Sequence, residues 1–290
     1  MTQTCVTCFR RCVLEEGQTG FCRARGNRGG RIVPLGYAGG LGRLSALALD
    51  SIEKKPLARF MPGSMVLSVG GWGCNMRCSF CQNHEISWCD VPGPVPAAED
   101  ADSDGLSPEQ LVANVLALKN RGNIGVAYTY NEPLVAWEYV RDCARLVREA
   151  GMKNVIVSNG CVLPSVMQEL LPYTDAVNID LKCFSADSYR QLGGDLESVK
   201  ESIMLCHAYG GGSCHVELTT LVVPGFNDGE DEMAEEASWV ASLARDIPLH
   251  LTRFFPRWQM QDRPPTPVGT LRRLADVARR ELSDVLLGNV

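Results

Sequence analysis

Gly73-Cys74-Asn75-Met76-Arg77-Cys78-Ser79-Phe80-Cys81-Gln82-Asn83 sets three cysteines at C-x3-C-x2-C spacing, just after the apolar run Met65-Val66-Leu67-Ser68-Val69 and the pair Gly70-Gly71. Three thiolates on one short loop can converge on a single metal centre, and the count is informative. A closed structural zinc or iron–sulfur site takes four protein ligands. A [4Fe–4S] cubane held by three leaves one iron open to a substrate or cofactor. Two other readings fit the same letters: three reduced core cysteines, or a zinc site whose fourth ligand lies elsewhere, with His84 close by. Glycine on the N-terminal side and Phe80 just before the last cysteine favour the open cluster.

The run Cys74-Asn75-Met76-Arg77-Cys78-Ser79-Phe80-Cys81 resembles the signature of the radical S-adenosylmethionine (radical SAM) superfamily. Ile52-Glu53-Lys54-Lys55-Pro56-Leu57 upstream and Cys81-Gln82-Asn83-His84-Glu85-Ile86-Ser87 downstream resemble the radical SAM member of the AmmeMemoRadiSam system, a group related to glycyl-radical-enzyme activating enzymes. The resemblance implies a [4Fe–4S] cluster on Cys74, Cys78 and Cys81, with its open iron chelated by SAM. It implies reductive cleavage of SAM to a 5′-deoxyadenosyl radical, which abstracts hydrogen from a protein or small-molecule substrate. A low-potential electron donor such as flavodoxin or ferredoxin is implied too, with AmmeMemoRadiSam system proteins as partners. Thiolate-bound clusters reach potentials that low.

Outward from the loop, residues 1–64 read as a cysteine-rich segment with a linker, and residues 65–290 as the main domain. Cys5-x2-Cys8-x3-Cys12, then Cys22, sit among glycines and arginines without apolar periodicity. A metal clip folds such a segment, and the alternative is a disordered arm. The resembled family carries this prelude as well, but zinc and an auxiliary iron–sulfur cluster both remain open. Gly26 to Gly42 reads as a linker with a hairpin around Ile32-Val33-Pro34-Leu35.

From residue 65 onward, strand and helix signals alternate. Strands are expected at Met65–Val69, Ile124–Tyr130, Val155–Val157, Ala176–Leu181, Cys214–Val223 and Pro248–Thr252. Helices are expected from Ser107-Pro108, which is a serine cap followed by a first-turn proline. Further helices are expected at Pro133–Gly151, around Val166–Leu171, and at Leu196–Tyr209, Glu230–Arg245 and Thr270–Leu282. Val285-Leu286-Leu287 closes the chain, and the acidic run Glu99-Asp100-Ala101-Asp102 reads as a solvated loop. Repeated βα units imply a parallel sheet coated by helices. A full eight-unit barrel needs about 250 residues, so the span fits an α/β fold with a partial (βα)6 TIM-like barrel. The resemblance implies the same.

Chemistry in such folds collects at the C-terminal ends of strands. The second expected strand ends Tyr130-Asn131-Glu132-Pro133, where radical SAM relatives carry a Gly-Gly-Glu-Pro-like motif that contacts the SAM amino group. The Glu-Pro is kept and the glycines are not. The third ends Ser158-Asn159-Gly160. The fourth ends Asp180-Leu181-Lys182, similar to the Asp-Leu-Lys of glycyl-radical activases, with Lys182 placed to neutralise the methionine carboxylate. The fifth carries His215-Val216-Glu217 and the sixth ends from His250. The resemblance thus implies cofactor contacts from Phe80, Gln82, Asn131, Glu132, Ser158, Asn159, Asp180, Lys182 and Glu217. His250 reads equally well as a hydrogen-bonded core histidine. Cys89, Cys143, Cys161, Cys183, Cys206 and Cys214 lack ligand spacing and read as structural.

Two further classes stay open. A close glycyl-radical activase often carries extra C-x2-C pairs after the first cluster, whereas residues 82–107 hold only Cys89. A non-enzymatic iron–sulfur electron carrier predicts metal without SAM cleavage, and the polar strand ends count against it. The 290 residues carry a formal charge of −6 and no basic block, which argues against nucleic acid or an anionic membrane as partner. No window approaches the ~18 apolar residues of a membrane span, and the start lacks a signal-peptide core. Thirteen cysteines in a chain of this size fit a reducing cytoplasm and metal-bound thiolates.

Overall fold

The apolar runs from residue 46 onward fold into one eight-stranded sheet. The structure is a computed structural model describing residues 1–91 and 105–290, so the acidic run at 99–102 lies outside the described residues. The strands are β1 (Ala46–Ser51), β2 (Met65–Gly70), β3 (Asn123–Thr129), β4 (Lys153–Ser158), β5 (Ala176–Asp180), β6 (His215–Val222), β7 (Leu249–Arg253) and β8 (Val285–Gly288). Their order in the sheet is their order in the chain. β2 to β8 run parallel, and β1 lies antiparallel on β2 with Ala46 opposite Gly70 and Ser51 opposite Met65.

Parallel neighbours require crossovers, and six helices supply them: α1 (Pro108–Ala117), α2 (Trp137–Glu149), α3 (Pro164–Leu170), α4 (Leu196–Ala208), α5 (Glu230–Leu243) and α6 (Val268–Ala278). The expected six βα units are present, forming an α/β partial barrel. A strand was missed at each end. Val285-Leu286-Leu287 pairs with β7 through Leu249 opposite Val285, and β1 comes from a stretch expected to be linker. With β8 and β1 at the two ends of the order, strand pairing among the described residues does not close the barrel. Arg59, after β1, reaches Asp284, before β8, with Nη2 2.8 Å from Oδ1. This bidentate pair spans the gap.

Local chemistry sets the helix starts. Ser107 Oγ accepts from the Gln110 N–H while the Gln110 side chain accepts from the Ser107 N–H, a complete capping box with Pro108 in the first turn. Asp195 caps α4 by accepting from the Ser198 N–H at 2.9 Å. The helix expected from Pro133 begins as a 3-10 turn, Pro133–Ala136, before α2 takes over.

The sheet has two apolar faces. Outward-facing Leu67, Tyr128, Ile156, Ile179 and Leu218 pack against buried helix residues such as Leu111, Val140, Val147, Ile203 and Leu274. Inside the barrel, Ile52 and Leu57 insert from the β1–β2 connection against Val66, Ala127, Val155 and Ala176. Both inserted side chains are fully buried, and burying one such side chain stabilises by about 1.5–3 kcal/mol. This plug is the barrel floor, so the open space lies above it, toward the strand C-termini.

The first 45 residues form short hairpins: Gln3–Thr4 on Val13–Leu14, Arg25–Arg28 on Arg31–Pro34, and Tyr37–Ala38 on Leu41–Arg43. They are fastened to the barrel. Thr7 O accepts from the Leu163 N–H at 3.0 Å, and Arg25 makes a bidentate pair with Glu138 of α2 at 2.7 and 2.6 Å.

Candidate active site

A cavity of about 830 Å³ opens at the C-terminal ends of the strands. Cys74, Cys78 and Cys81 line it, together with Phe80, Gln82, Asn131, Glu132, Ser158, Asn159, Asp180 and Lys182. Eight of the nine expected cofactor contacts are therefore brought to one space with the three cysteines.

The loop holding the cysteines is fixed from both sides. Asn131 bridges its entry, donating through Nδ2 to Gly73 O at 2.9 Å and accepting from the Gly71 N–H at 3.0 Å. Gly73 has φ +82, and an added Cβ would run into the Cys22 carbonyl and stand 2.8 Å from Ala24 Cβ. Only glycine suits that joint. Asn75 is fully buried, donates to Cys161 O at 2.7 Å and accepts from Asn159 Nδ2 at 2.8 Å. Asn159 Nδ2 also lies 3.6 Å from Cys74 Sγ.

Glu132 is a buried carboxylate at the cavity wall. It is 1% exposed, accepts from the Leu134 N–H at 3.0 Å and Ser158 Oγ at 2.8 Å on one oxygen, and from the Asn159 N–H at 2.7 Å on the other. Burial pushes its carboxyl up to about 7, although these hydrogen bonds pull the other way. A carboxylate so placed, with an acceptor site left over, suits a cationic guest. Lys182 donates to Asp180 at 2.9 Å. Burial opposes its charge, but Asp180, joined by the Cys78 sulfur when deprotonated, outweighs this and holds it above the usual lysine value. An ammonium with donors beyond the one given to Asp180 suits a carboxylate guest.

The donor set fits a cubane. Burial pushes the Cys78 thiol up to about 11, and pushes Cys74 well above its ordinary value with Glu132 adding to the effect. Such thiols release their protons to a metal. Among the described residues, no group of three or more His, Cys, Asp or Glu side chains is placed to hold a single metal ion. A cubane seats its thiolates on different irons, which spreads them further than one ion would. His84, the candidate fourth zinc ligand, is not in the cavity lining; its ring stacks on Trp258 with centroids 3.8 Å apart.

Glu217 departs from expectation. It sits below the cavity lining, at the barrel floor, with no exposed surface. Its oxygens accept from the Ala58 and Arg59 N–H groups at 3.0 and 2.8 Å, and lie 2.9 Å from His215 Nε2 and 2.6 Å from His250 Nε2. It clamps the floor plug, and His250 is its hydrogen-bonded partner. The sequence reading also missed Asp50, Lys54, Lys55 and Tyr130, which line the same cavity. The pair Lys54-Lys55 before Pro56 was the available signal.

Cys5, Cys8, Cys12 and Cys22 line a separate small pocket with Arg10 and Arg25. Burial pushes Cys8 up to about 11 and raises Cys22. Arg10 connects this pocket to the cluster loop through Nε to Asn75 O at 2.9 Å. The other six cysteines are free thiols; all but Cys89 are buried.

A family model for the Radical SAM superfamily matches residues 70–237. An uncharacterized protein of Methanocaldococcus jannaschii is 39% identical, over 99% of this chain and 81% of its own length. The pyruvate formate-lyase 1-activating enzyme of Escherichia coli K12 is 28% identical, over 55% of this chain and 61% of its own. In fold, a radical SAM methyltransferase from Sphaerobacter thermophilus superposes with a TM-score of 0.55 at 18% identity, covering 79% of this chain and 67% of its own.

Proposed function

This chain belongs to the radical SAM superfamily and is an enzyme of that class, and from that premise we propose that Cys74, Cys78 and Cys81 hold a [4Fe–4S] cluster at which SAM is reductively cleaved to a 5′-deoxyadenosyl radical that abstracts hydrogen from a protein or small-molecule substrate. What carries the reading is one juxtaposition: the three-cysteine loop and the buried Glu132 carboxylate line the same cavity. In this reading Glu132 receives the cofactor's ammonium and Lys182, backed by Asp180, its carboxylate. Ser158 and Asn159 hold Glu132 in place, and Asn131 holds the loop. Phe80, packed edge-on to Phe226 with centroids 6.2 Å apart, walls the site from water.

Radical SAM enzymes take electrons from reduced flavodoxin or ferredoxin, and we assign this chain such a donor. Its flanking motifs support membership of the AmmeMemoRadiSam system, with that system's proteins as partners. Cys5, Cys8, Cys12 and Cys22 are proposed to hold a second metal, zinc or iron–sulfur, since all four line one pocket; that no group among the described residues is placed for a single ion favours the iron–sulfur alternative. Metal analysis of a Cys74/Cys78/Cys81 triple variant tests that site alone. No helix among the described residues is long and apolar enough to cross a membrane, and thirteen cysteines, none of them in a disulfide, support a reducing, cytoplasmic setting.

The test is anaerobic reconstitution with iron and sulfide, then reduction with SAM present. Formation of 5′-deoxyadenosine by the wild type, and its loss in Cys78→Ala, is the expected result. Iron bound without that product favours the electron carrier. The similarity to an activating enzyme supports a second reading, glycyl-radical activation, whose mark is a glycine-centred radical on a partner protein.

A further inference from the structure

The cavity has two walls of different origin. Cys74 through Lys182, the proposed cofactor wall, lie inside the matched stretch 70–237, whereas Asp50, Lys54 and Lys55 precede it. This second wall comes from β1 and the connection after it, outside the matched stretch, with Tyr130 of the matched stretch reaching into it.

That wall is built around one carboxylate. Asp50 Oδ2 accepts from Lys55 Nζ at 2.9 Å and from the Tyr130 hydroxyl at 2.6 Å, and Oδ1 accepts from Lys54 Nζ at 3.2 Å. The Lys55 side chain is only 4% exposed, with Nζ 4.7 Å from the centre of the Tyr130 ring. Tyr130 itself is held at φ +72, a conformation a bulky side chain rarely adopts. Its ring lies so close over Gly70 that a Cβ there would stand 3.0 Å from Tyr130 Cδ2.

Donor and acceptor capacity then decides what the wall can bind. A carboxylate offers about four acceptor sites, and three of those on Asp50 are filled; an ammonium has three donors, and each lysine gives one to Asp50. Glu53 also borders the cavity, but its carboxylate accepts from the Gly63 N–H at 2.6 Å. Lys54 and Lys55 each keep two N–H donors beyond the one given to Asp50, and with Glu53 counted the four side chains are formally neutral, so what this wall offers an anion is hydrogen-bond donors rather than net charge.

We propose that Lys54 and Lys55, positioned by Asp50 and Tyr130, anchor the substrate through an anionic group, a carboxylate or a phosphate, and so hold its hydrogen-bearing carbon within the cavity that the proposed cofactor wall also lines. This rests on the cavity being the radical site. Charge-assisted hydrogen bonds from a nearly buried ammonium are among the stronger single contacts a site can offer.

Equilibrium dialysis of the reconstituted protein, saturated with SAM so that its own site is filled, tests this with inorganic phosphate and succinate as probes. Saturable binding of phosphate alone identifies a phosphorylated substrate, and of succinate alone a carboxylate. Binding should weaken about tenfold or more in Lys54→Met, in the double variant Asp50→Asn/Lys55→Met, or in both. Lys54 is exposed, and the double variant leaves no orphaned charge, so both keep the fold. No saturable binding of either anion, or unchanged affinity in both variants, overturns the proposal. Wild-type 5′-deoxyadenosine formation is measured in the same preparation. Product without anion binding sinks the subsite alone, and absent product sinks the cofactor reading.

Discussion

Replacing Glu217 by glutamine tests whether this carboxylate clamps the floor or serves the cofactor. Each of its oxygens takes one backbone N–H and faces one histidine Nε2. Whichever way the amide turns, its NH2 meets either the Ala58 or the Arg59 N–H and leaves that half-buried donor without its acceptor. Such a loss costs about 1–3 kcal/mol, and losing hydrogen bonds to a charged group adds to it. About 3 kcal/mol is therefore expected. The pH dependence gives an independent figure. Burial opposes the Glu217 charge, but the two histidines and two backbone N–H groups outweigh it and hold the carboxyl down to about 2, from 4.5. A carboxyl with a depressed folded-state value stabilises fully above the unfolded value and loses that contribution as pH falls through the folded one. The window is pH 4.5 to 2, and at most about 3 kcal/mol is at stake. Urea unfolding of parent and variant should show that gap at pH 7, closing as pH falls through the window. A variant as stable as its parent, but weakened in SAM binding, would refute the floor assignment.

Three further outcomes follow from the geometry. Glu132→Gln removes the charge facing the proposed cofactor ammonium and should raise the KM for SAM about tenfold or more, measured by 5′-deoxyadenosine formation; an unchanged KM removes Glu132 from the cofactor site. Gly73→Ala forces a Cβ toward Cys22 and Ala24 at positive φ and should destabilise by about 2 kcal/mol or more in thermal unfolding, whereas a neutral effect would mean the joint is loose. Arg25→Ala breaks the bidentate pair with Glu138, whose side chains are 6% and 20% exposed. It should speed proteolysis of the first 45 residues well before the barrel, and uniform cleavage would show that the pair does not fasten them.

The parts of this fold readable in the sequence are those set by local chemistry. Ser107-Pro108 announced α1 because a cap and a first-turn proline act within four residues. The cysteine loop and the polar ends of β3, β4 and β5 were readable because the site follows from strand direction. Depth inside the barrel was harder to read. Glu217 shares a face with Thr219, yet it is the third residue of β6 and so lies near the floor. β1 was missed because its pairing with β2 spans a long connection and its alternating apolar pattern is short. β8 was missed for a similar reason, since four residues at a sheet edge resemble a tail until Leu249 is known to lie beside Val285. Tyr130 reached the cavity lining beside Asp50 through a left-handed turn that Tyr-Asn-Glu-Pro does not advertise.

Electron paramagnetic resonance of the reduced, reconstituted protein, recorded without and with SAM, tests the open corner of the cluster most directly. A cubane on Cys74, Cys78 and Cys81 predicts a reduced-cluster signal that changes when SAM is added. A signal indifferent to SAM would mean that no iron is open to the cofactor and would contradict the account.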